Sequence, residues 1–436
     1  MQNLNINVEC WADLSADEQE QRLSRPRQAT ATNTQQTVKK ILADIRDNGD
    51  SALLNYTRQF DSSDATSLRV SQQRIEQAVK RLDKKVADAI DTAYGTIRRF
   101  HQAQVPENLA VETINGVQCE LRYAPLDAVG LYIPGGSATL PSTALMLGVP
   151  AQLADCQRVV LVSPPDKSGD LPDALLYAAN RCDITEIYTC GGAQAVAALA
   201  YGTESIASVD KVFGPGNSFV TEAKQQVSND ASGCAIDLPA GPSELLVIGD
   251  DTANPAYIAA DLLSQAEHGP DSQVILVTPS STLADRVKEA LIEQCQQLQR
   301  ADIAAQALAE SRLLVVETID EAIAISERYA PEHLSIQTDN ARSLLPKLTR
   351  AGSVFVGHYT PESGGDYATG TNHVLPTYGY ARNYSSLGLL DFYRRYTVQE
   401  VSYEGLTTLS EAITTLANVE GLDAHAKAVT IRMEDQ

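Results

Sequence analysis

Two polar side chains, Gln265 and His268, lie three positions apart near the end of a predicted helix. A turn signal at 239–242 precedes the apolar run 244–248, which has the length and composition of a buried strand, and a helical pattern begins at about Pro255. Residues three apart share one face of a helix, so both side chains point the same way. The spacing suits binding of a metal ion, a substrate or each other, although a histidine at a helix end is more often structural.

A second pair, Glu332 and His333, stands where Pro331 ends a helical pattern and a short strand begins. A carboxylate beside an imidazole at a strand entrance is suited to general acid and base chemistry. Spacing alone favours the alternative, a surface glutamate beside a partly buried histidine.

Two further groups could bind a metal ion or a substrate. Asp366 lies in the glycine-rich segment 361–373, predicted to be a flexible loop, and Glu420 stands near His425 in the C-terminal tail. Each alone is more often an ordinary turn or a solvated surface pair. Together, two imidazoles, a carboxylate and an amide oxygen would suit zinc and leave room for a substrate: His268, His425, Asp366 and Gln265.

The segment 128–237 alternates strand and helix patterns, with strands predicted at 129–133, 159–162, 186–190 and 211–213. Three of these strands end in glycine-containing loops, at 134–137, 191–194 and 214–217. In open α/β sheets, ligands bind beyond the carboxyl ends of the strands, where such loops let backbone amides approach a phosphate. The segment is therefore a candidate nucleotide-binding domain, although a G-x-G-x-x-G fingerprint is absent.

A second alternation, from 244 to 356, has strands predicted near 244–248, 274–277, 313–316, 334–336 and 354–356. The predicted fold class is α/β, with two doubly wound, Rossmann-like domains, one inserted in the other, and small N- and C-terminal extensions. The predicted domains are an N-terminal helical appendage (1–25), a main domain with the substrate and zinc site (26–130 plus 242–385), an inserted nucleotide-binding domain (131–241) and a C-terminal tail (386–436). Smaller elements are also predicted: two successive helices in 34–60, a longer helix in 73–104 kinked at 94–95, and a hairpin turn at 115–116.

The 436 residues include 34 basic and 56 acidic side chains, which give a net charge of -22. Such an acidic chain argues against nucleic acid or an anionic membrane as a partner. The N-terminus lacks the pattern of a secretory signal, and no apolar run is long enough for a membrane span, so a cytoplasmic location is predicted. Seven cysteines without CxxC spacing predict buried thiols in a reducing compartment.

The longest motif resembles a known family. The pattern I-D-x-x-A-G-P-S-E, followed some twenty residues later by Q-x-E-H, is typical of histidinol dehydrogenases. Here it reads Ile236-Asp237, Ala240-Gly241-Pro242-Ser243-Glu244, and then Gln265, Glu267 and His268. The similarity extends over nearly the whole chain, far more than a short motif covers.

The resemblance implies a zinc- and NAD-dependent oxidation of L-histidinol to L-histidine through L-histidinaldehyde, with two NAD reduced, at the end of histidine biosynthesis. It implies one zinc ion per subunit, bound by Gln265, His268, Asp366 and His425. It implies substrate contacts from Ser243, Gln265, His268, Glu332, His333, Asp366, Glu420 and His425, with Glu332 and His333 catalytic, and nucleotide contacts from Tyr132, Gln194 and Asn217. It also implies a homodimer in which the tail of each subunit completes the active site of the other.

Three alternatives remain at this stage. The aldehyde step could use a cysteine nucleophile, for which Cys119, Cys156 and Cys190 are the candidates. The same ligands could serve a zinc hydrolase acting on a small polar substrate. A noncatalytic metal- or nucleotide-binding module is the third alternative, and it fits poorly with polar groups converging from so many segments.

Overall fold

The computed structural model describes residues 6–26, 31–61, 67–135, 140–239 and 241–434. Its strands are β1 (Val8–Cys10), β2 (Leu109–Ile114), β3 (Val117–Pro125), β4 (Ala128–Tyr132), β5 (Arg158–Ser163), β6 (Glu186–Thr189), β7 (Lys211–Phe213), β8 (Ala235–Ile236), β9 (Glu244–Gly249), β10 (Gln273–Thr278), β11 (Arg312–Val315), β12 (His333–Gln337), β13 (Ser353–Val356) and β14 (Tyr393–Val401).

Its helices are α1 (Ala16–Leu23), α2 (Ala31–Asp61), α3 (Gln72–Arg81), α4 (Lys84–Gln102), α5 (Pro141–Leu153), α6 (Asp173–Arg181), α7 (Gly192–Tyr201), α8 (Ser218–Ser228), α9 (Pro255–Ala266), α10 (Ser281–Cys295), α11 (Ala301–Ala309), α12 (Ile319–Tyr329), α13 (Ala341–Leu344), α14 (Glu362–Tyr367), α15 (Tyr403–Val419) and α16 (Asp423–Glu434). Short 3-10 helices span Trp11–Asp13, Leu345–Lys347, Tyr380–Arg382 and Leu389–Phe392.

The first parallel sheet has the strand order β6-β5-β4-β7-β8. Its strands are short apolar runs because both faces are covered by helices, as a parallel sheet requires. Side chains alternate between the faces: Leu131 joins the core on one side, whereas Tyr132 and Val160 join the core on the other. The connections reverse direction between β4 and β7, which is where such sheets bind ligands.

The second parallel sheet has the order β1-β11-β10-β9-β12-β13. Apart from the edge strand β1, it repeats the strand order of the first sheet and reverses direction between β9 and β12. In the register of this sheet, Leu245 of β9 pairs with Val274 on one side and with His333 on the other. The predicted fold class, with two doubly wound α/β units, is confirmed.

The packing groups the segments differently from the predicted domain division. Helices α2, α3 and α4, expected with the 242–385 segment, pack on the first sheet, where α2 contacts α7 and α8, and α4 contacts α5. The N-terminal segment, expected as an appendage, adds β1 to the second sheet and buries Trp11 and Leu23 in its core. Apolar periodicity identifies the face that a helix buries, but it does not identify the sheet against which that face packs.

The helices of the first unit contain two breaks, one at its predicted position and one elsewhere. Gly49, with φ 50° and ψ −130°, interrupts α2, in agreement with two successive helices. The kink predicted at 94–95 is wrong, because α4 continues through it. The break lies instead at Leu82–Asp83, where the Asp83 carboxylate caps α4 by accepting hydrogen bonds from the amides of Lys85 and Val86.

The third sheet is antiparallel, with the order β14-β3-β2. The predicted turn Asn115-Gly116 joins β2 to β3, and Gly116 has the positive φ, 79°, that such a turn requires. Strand β14 pairs with β3 along its whole length and leads into the C-terminal helices α15 and α16. Among the described helices, none combines the length and apolar composition needed to cross a bilayer.

Candidate active site

A cavity of about 340 Å³ lies between the two α/β units. Helix α9 runs back from the carboxyl end of β9, so its last residues arrive at the amino ends of β9 and β12. The wall on this side carries six of the predicted site residues: Ser243, Gln265, His268, Glu332, His333 and Asp366. Loops of the first unit, including 214–216, form the opposite wall.

Gln265 is the least satisfied polar side chain of this wall. It is fully buried, and neither Oε1 nor Nε2 has a hydrogen-bond partner among the described residues. A buried amide without partners costs about 1–3 kcal/mol, so such a group usually has a ligand to bind. One turn further on, His268 shares a hydrogen bond with Ser243, with Nδ1 3.1 Å from Oγ. Desolvation by the surrounding cavity walls lowers the pKa of His268, which favours the neutral, ligand-competent imidazole.

His333 is held in one orientation at the start of β12. Its Nδ1 donates to the backbone carbonyl of Glu244 at 3.0 Å, and because a carbonyl only accepts, the neutral ring carries its proton on Nδ1. Nε2 then faces Glu362 Oε1 at 3.7 Å and Asp366 Oδ1 at 3.9 Å. Burial lowers the pKa of His333, but the negative charge of Glu332, Glu362 and Asp366 outweighs it and raises that pKa to about 10.

Glu332 is fixed from behind by a buried ionic network. Its Oε2 accepts a hydrogen bond from the amide of Glu244 at 2.8 Å, and burial raises the pKa of Glu332. The Glu244 carboxylate accepts in turn from Arg25, at 2.5 and 3.0 Å, and from the amide of Tyr378 at 2.9 Å. The same oxygen of Glu332, Oε2, lies 3.5 Å from Nδ1 of His333, and the Glu332 side chain lines the cavity.

Glu362 is a site residue that the sequence did not identify. It is fully buried, its Oε2 accepts from Ser264 at 2.6 Å, and its Oε1 lacks a hydrogen-bond partner among the described residues. Ligand atoms of His333, Glu362 and Asp366 all lie within 4.8 Å of one another, close enough for one cation. Burial, reinforced by the charge of Glu362, raises the pKa of Asp366 to about 8. The only sequence signal that could have identified Glu362 is its position four residues before Asp366, which places both acids on the same helical face.

The segment around Asp366 is partly helical, and the prediction of a flexible loop is wrong for α14. Burial lowers the pKa of His373 to about 4, so the ring is neutral. Its Nδ1 donates to the carbonyl of Asp366 at 2.9 Å, and its Nε2 accepts from Thr143 of the first unit at 3.1 Å. His373 thereby ties the ligand-bearing segment to the opposite wall. His358 lies elsewhere, near Thr252 and Gln337.

Glu420 and His425 are not brought to this cavity within one chain. Both are exposed, at the end of α15 and in α16, and neither lines the cavity. One chain thus places three of the four predicted metal ligands, Gln265, His268 and Asp366, in the lining of one cavity.

A second cavity, of about 1060 Å³, lies at the carboxyl ends of the first sheet. It is lined by all three predicted nucleotide-binding residues, Tyr132, Gln194 and Asn217. The Tyr132 hydroxyl accepts from the amide of Gly192 at 3.1 Å, and the Asn217 side chain caps α8. Two predicted loop residues, Gly136 and Ser137, lie outside the described residues, as does Ala240 of the motif.

The two cavities adjoin, because neighbouring residues of the same loops line both. Pro134 and Gly216 line the smaller cavity, whereas Gly135 and Asn217 line the larger one. The two cavities therefore lie next to each other on either side of these loops.

The cysteines do not take part in this arrangement. All seven are described, and none lines either cavity. Burial raises the pKa of Cys156 to about 12 and also raises that of Cys190, so both remain protonated thiols near neutral pH.

Comparison with known proteins agrees with this geometry. The family model described as histidinol dehydrogenase matches residues 23–433. A curated histidinol dehydrogenase of Idiomarina loihiensis is 74% identical over 434 residues, covering 100% of this chain and 98% of the relative. One of Vibrio vulnificus is 56% identical over 424 residues, covering 97% of each. The crystal structure of histidinol dehydrogenase from Elizabethkingia anophelis superposes with a TM-score of 0.94 at 45% identity, covering 99% of this chain and 98% of that one.

The relatives are oxidoreductases by name, and they give no support to the zinc hydrolase alternative. They match the chain over nearly its full length, through both cavities and all three sheets. The chain belongs to the histidinol dehydrogenase family.

Proposed function

We propose that this chain oxidises L-histidinol to L-histidine through L-histidinaldehyde, reducing two NAD, as an enzyme of histidine biosynthesis. Family membership supports the reaction. The pair of adjoining cavities is the observation that supports the location of the active site. One contains an acid–base pair and potential metal ligands, and the other lies where a doubly wound sheet binds a nucleotide.

The proposed metal ligands are Gln265, His268 and Asp366, with His425 supplied by a second copy of the chain. The orphaned amide of Gln265 and the neutral His268 support this set, since zinc binds neutral imidazole and oxygen ligands. A bound zinc ion would hold the imidazole and amino nitrogens of the substrate, which keeps the reactive carbon facing the nicotinamide. Ser243 and Glu420 are proposed to complete the substrate contacts.

His333 is the proposed base in both oxidations. The negative charge of the surrounding carboxylates raises the pKa of His333 to about 10, and a bound cation would offset that charge and favour the neutral ring. In the neutral ring the Nδ1 proton is committed to the carbonyl of Glu244, so Nε2 would accept the hydroxyl proton while the hydride leaves for NAD. Glu332 then removes a proton from water as that water adds to the aldehyde carbon. After His333 has released the first proton to solvent, it takes the proton of the resulting hydrate during the second hydride transfer. Glu332 lies beside His333, with Oε2 3.5 Å from Nδ1.

The tail is proposed to complete the site of a second subunit in a homodimer. Helices α15 and α16 pack on each other but expose large apolar side chains, with Leu416 62% and Val419 80% exposed. Such a surface is typical of one that becomes buried against a partner. Glu420 follows Val419 directly, so docking of this surface would place Glu420 and His425 against another chain. A cytoplasmic location is proposed on the acidic composition and the absence of a spanning helix among those described.

The reaction is tested by NADH absorbance after L-histidinol and NAD are mixed with the purified protein. Two NADH should form per histidinol consumed, with activity lost on chelation and restored by zinc. NADH formation that persists after complete removal of the metal would contradict the proposed zinc site.

The shared site is tested by mixing two inactive variants, His333→Asn and His425→Asn. If His425 acts in the partner's site, each mixed dimer contains one intact site, so random mixing of equal amounts restores about a quarter of the wild-type sites. If both residues act within one chain, no mixed dimer has an intact site, and the mixture stays inactive.

A further inference from the structure

The nucleotide cavity contains a carboxylate that neither the family motif nor the proposed mechanism uses. Asp61, the last residue of α2, lines the cavity beside Tyr132 and Gln194. The amide of Gly191 donates to its carboxylate. The other oxygen, Oδ2, is shielded from solvent and has no hydrogen-bond partner among the described residues.

A complementary donor lies on the same cavity wall. Gln194 is 1% exposed, and its Nε2 also has no partner among the described residues. Buried polar atoms are rarely left unsatisfied, so an unpaired acceptor and an unpaired donor on two side chains that line the same cavity indicate a ligand with hydroxyl groups, which both donate and accept. Burial raises the pKa of Asp61 to about 6, so the carboxylate is charged at neutral pH.

The position of Asp61 selects one end of the nucleotide. The nicotinamide must reach the smaller cavity, which adjoins the loop after β7. Asp61 contacts Gly191, which follows β6, three strands from β7 and therefore roughly 14 Å away across the sheet. Asp61 also lies at the amino end of α7, where phosphates are favoured, so the nearest hydroxyl-bearing group is the ribose attached to that phosphate on the adenosine side.

We propose that Asp61 accepts a hydrogen bond from a hydroxyl of the adenosine ribose of NAD, and that its negative charge disfavours NADP. The inference rests on the proposed nucleotide function of this cavity. A 2′-phosphate would place further negative charge next to the carboxylate and would remove the hydroxyl donor. Asp61 is thus a specificity-determining residue, and Gln194 is its hydrogen-bonding companion.

The test measures binding of NAD, 2′-deoxy-NAD, 3′-deoxy-NAD and NADP by calorimetry, to wild type and to Asp61→Asn. Asparagine retains an oxygen for the amide of Gly191 but loses the charge. Wild type should bind NAD about tenfold more tightly than at least one deoxy analogue, and Asp61→Asn should lose most of that difference. The preference for NAD over NADP should fall by about tenfold or more. Asp47→Asn, the same change at an exposed position of α2, should alter none of these ratios.

Two further measurements separate binding from a structural effect. Asp61→Asn should raise the KM for NAD by a larger factor than it lowers kcat, and Asp61→Ser should show the same loss of ribose discrimination if the asparagine variant folds poorly. The inference is overturned if Asp61→Asn discriminates the deoxy analogues as wild type does. It is also overturned if the affinity lost in Asp61→Asn disappears when the adenine of NAD is replaced by hypoxanthine, because Asp61 would then contact the adenine amine and not the ribose. A wild type that neither binds NAD nor forms NADH from histidinol would instead refute the proposed function.

Discussion

Replacing Lys224 by methionine is expected to destabilise the first α/β unit by about 3–5 kcal/mol, the usual cost of removing one partner of a buried ion pair. The side chains of Lys224 and Asp237 are 4% and 0% exposed and in contact. Lys224 Nζ also donates to the carbonyl of Gly214 at 2.8 Å, and Asp237 Oδ2 accepts from the amide of Gly214 at 2.7 Å. Methionine preserves most of the packing, so the fall in the free energy of unfolding reports the cost of leaving the buried Asp237 carboxylate without its cation.

The same pair should control nucleotide affinity, because it holds Gly214 through both its amide and its carbonyl. Gly214 has φ 115°, and a Cβ there would lie 2.1 Å from the carbonyl oxygen of Tyr132, so this backbone position has little freedom. The loop 214–217 lines both cavities. Loosening it should therefore raise the dissociation constant for NAD as well as lower stability.

Calorimetric unfolding is the suitable assay, since the single tryptophan, Trp11, packs in the other unit. For a unit of this size, about 3–5 kcal/mol corresponds to a fall in midpoint of roughly 6–20 °C. Lys224→Met/Asp237→Asn removes the uncompensated charge and should be more stable than Lys224→Met alone. Lys85→Met, at an exposed position of the same unit, should have little effect. A midpoint change below about 1 °C for Lys224→Met, or a double variant less stable than the single one, would refute the reasoning.

Three further predictions concern the chemistry. His333→Asn should lower turnover by about 10²–10⁴-fold while calorimetry still detects histidinol binding, and wild-type turnover would remove His333 from the mechanism. Zinc affinity, measured against a competing chelator, should increase as pH rises from about 6 to 8. The raised pKa of Asp366 keeps its carboxyl protonated at lower pH, and zinc must displace that proton. A zinc affinity that does not change with pH would contradict this prediction. Alanine at Cys119, Cys156 or Cys190 should leave turnover unchanged, and loss of the aldehyde step in any of the three variants would revive the cysteine mechanism.

The sequence was sufficient to locate the parallel strands other than β1 and β8, and the three glycine-containing loops of the first sheet. A strand buried on both faces is a short continuous apolar run, so its ends can be read to within about two residues. The larger cavity, proposed to bind the nucleotide, could be anticipated for the same reason, because glycine loops after parallel strands lie at one edge of a sheet. The positions of Tyr132, Gln194 and Asn217 in that cavity came from the family resemblance, and the structure places all three in its lining.

Other features depend on contacts that no local pattern encodes. The apolar faces of α2, α3 and α4 would suit either sheet, and only the assembled cores show that they cover the first one. The edge strand β1 is three residues long, too short for a periodic signal. Glu362 resembles an ordinary acid at a helix start until the fold places its carboxylate 3.7 Å from His333.

The smaller cavity contains several buried polar groups that destabilise the fold when no ligand is bound. Gln265 is buried with its amide unpaired, and Glu332, Glu362 and Asp366 surround one imidazole. Burial raises the pKa of Glu332, and burial together with the charge of Glu362 raises the pKa of Asp366. Like charges and unsatisfied amides are retained in a folded protein when a ligand relieves them. The proposed cation would relieve both costs, because it would bind the amide oxygen and offset the negative charge. Metal binding should therefore stabilise the fold as well as contribute to catalysis. The second unit should gain more stability than the first, because Gln265, His268 and Asp366 all belong to the second unit.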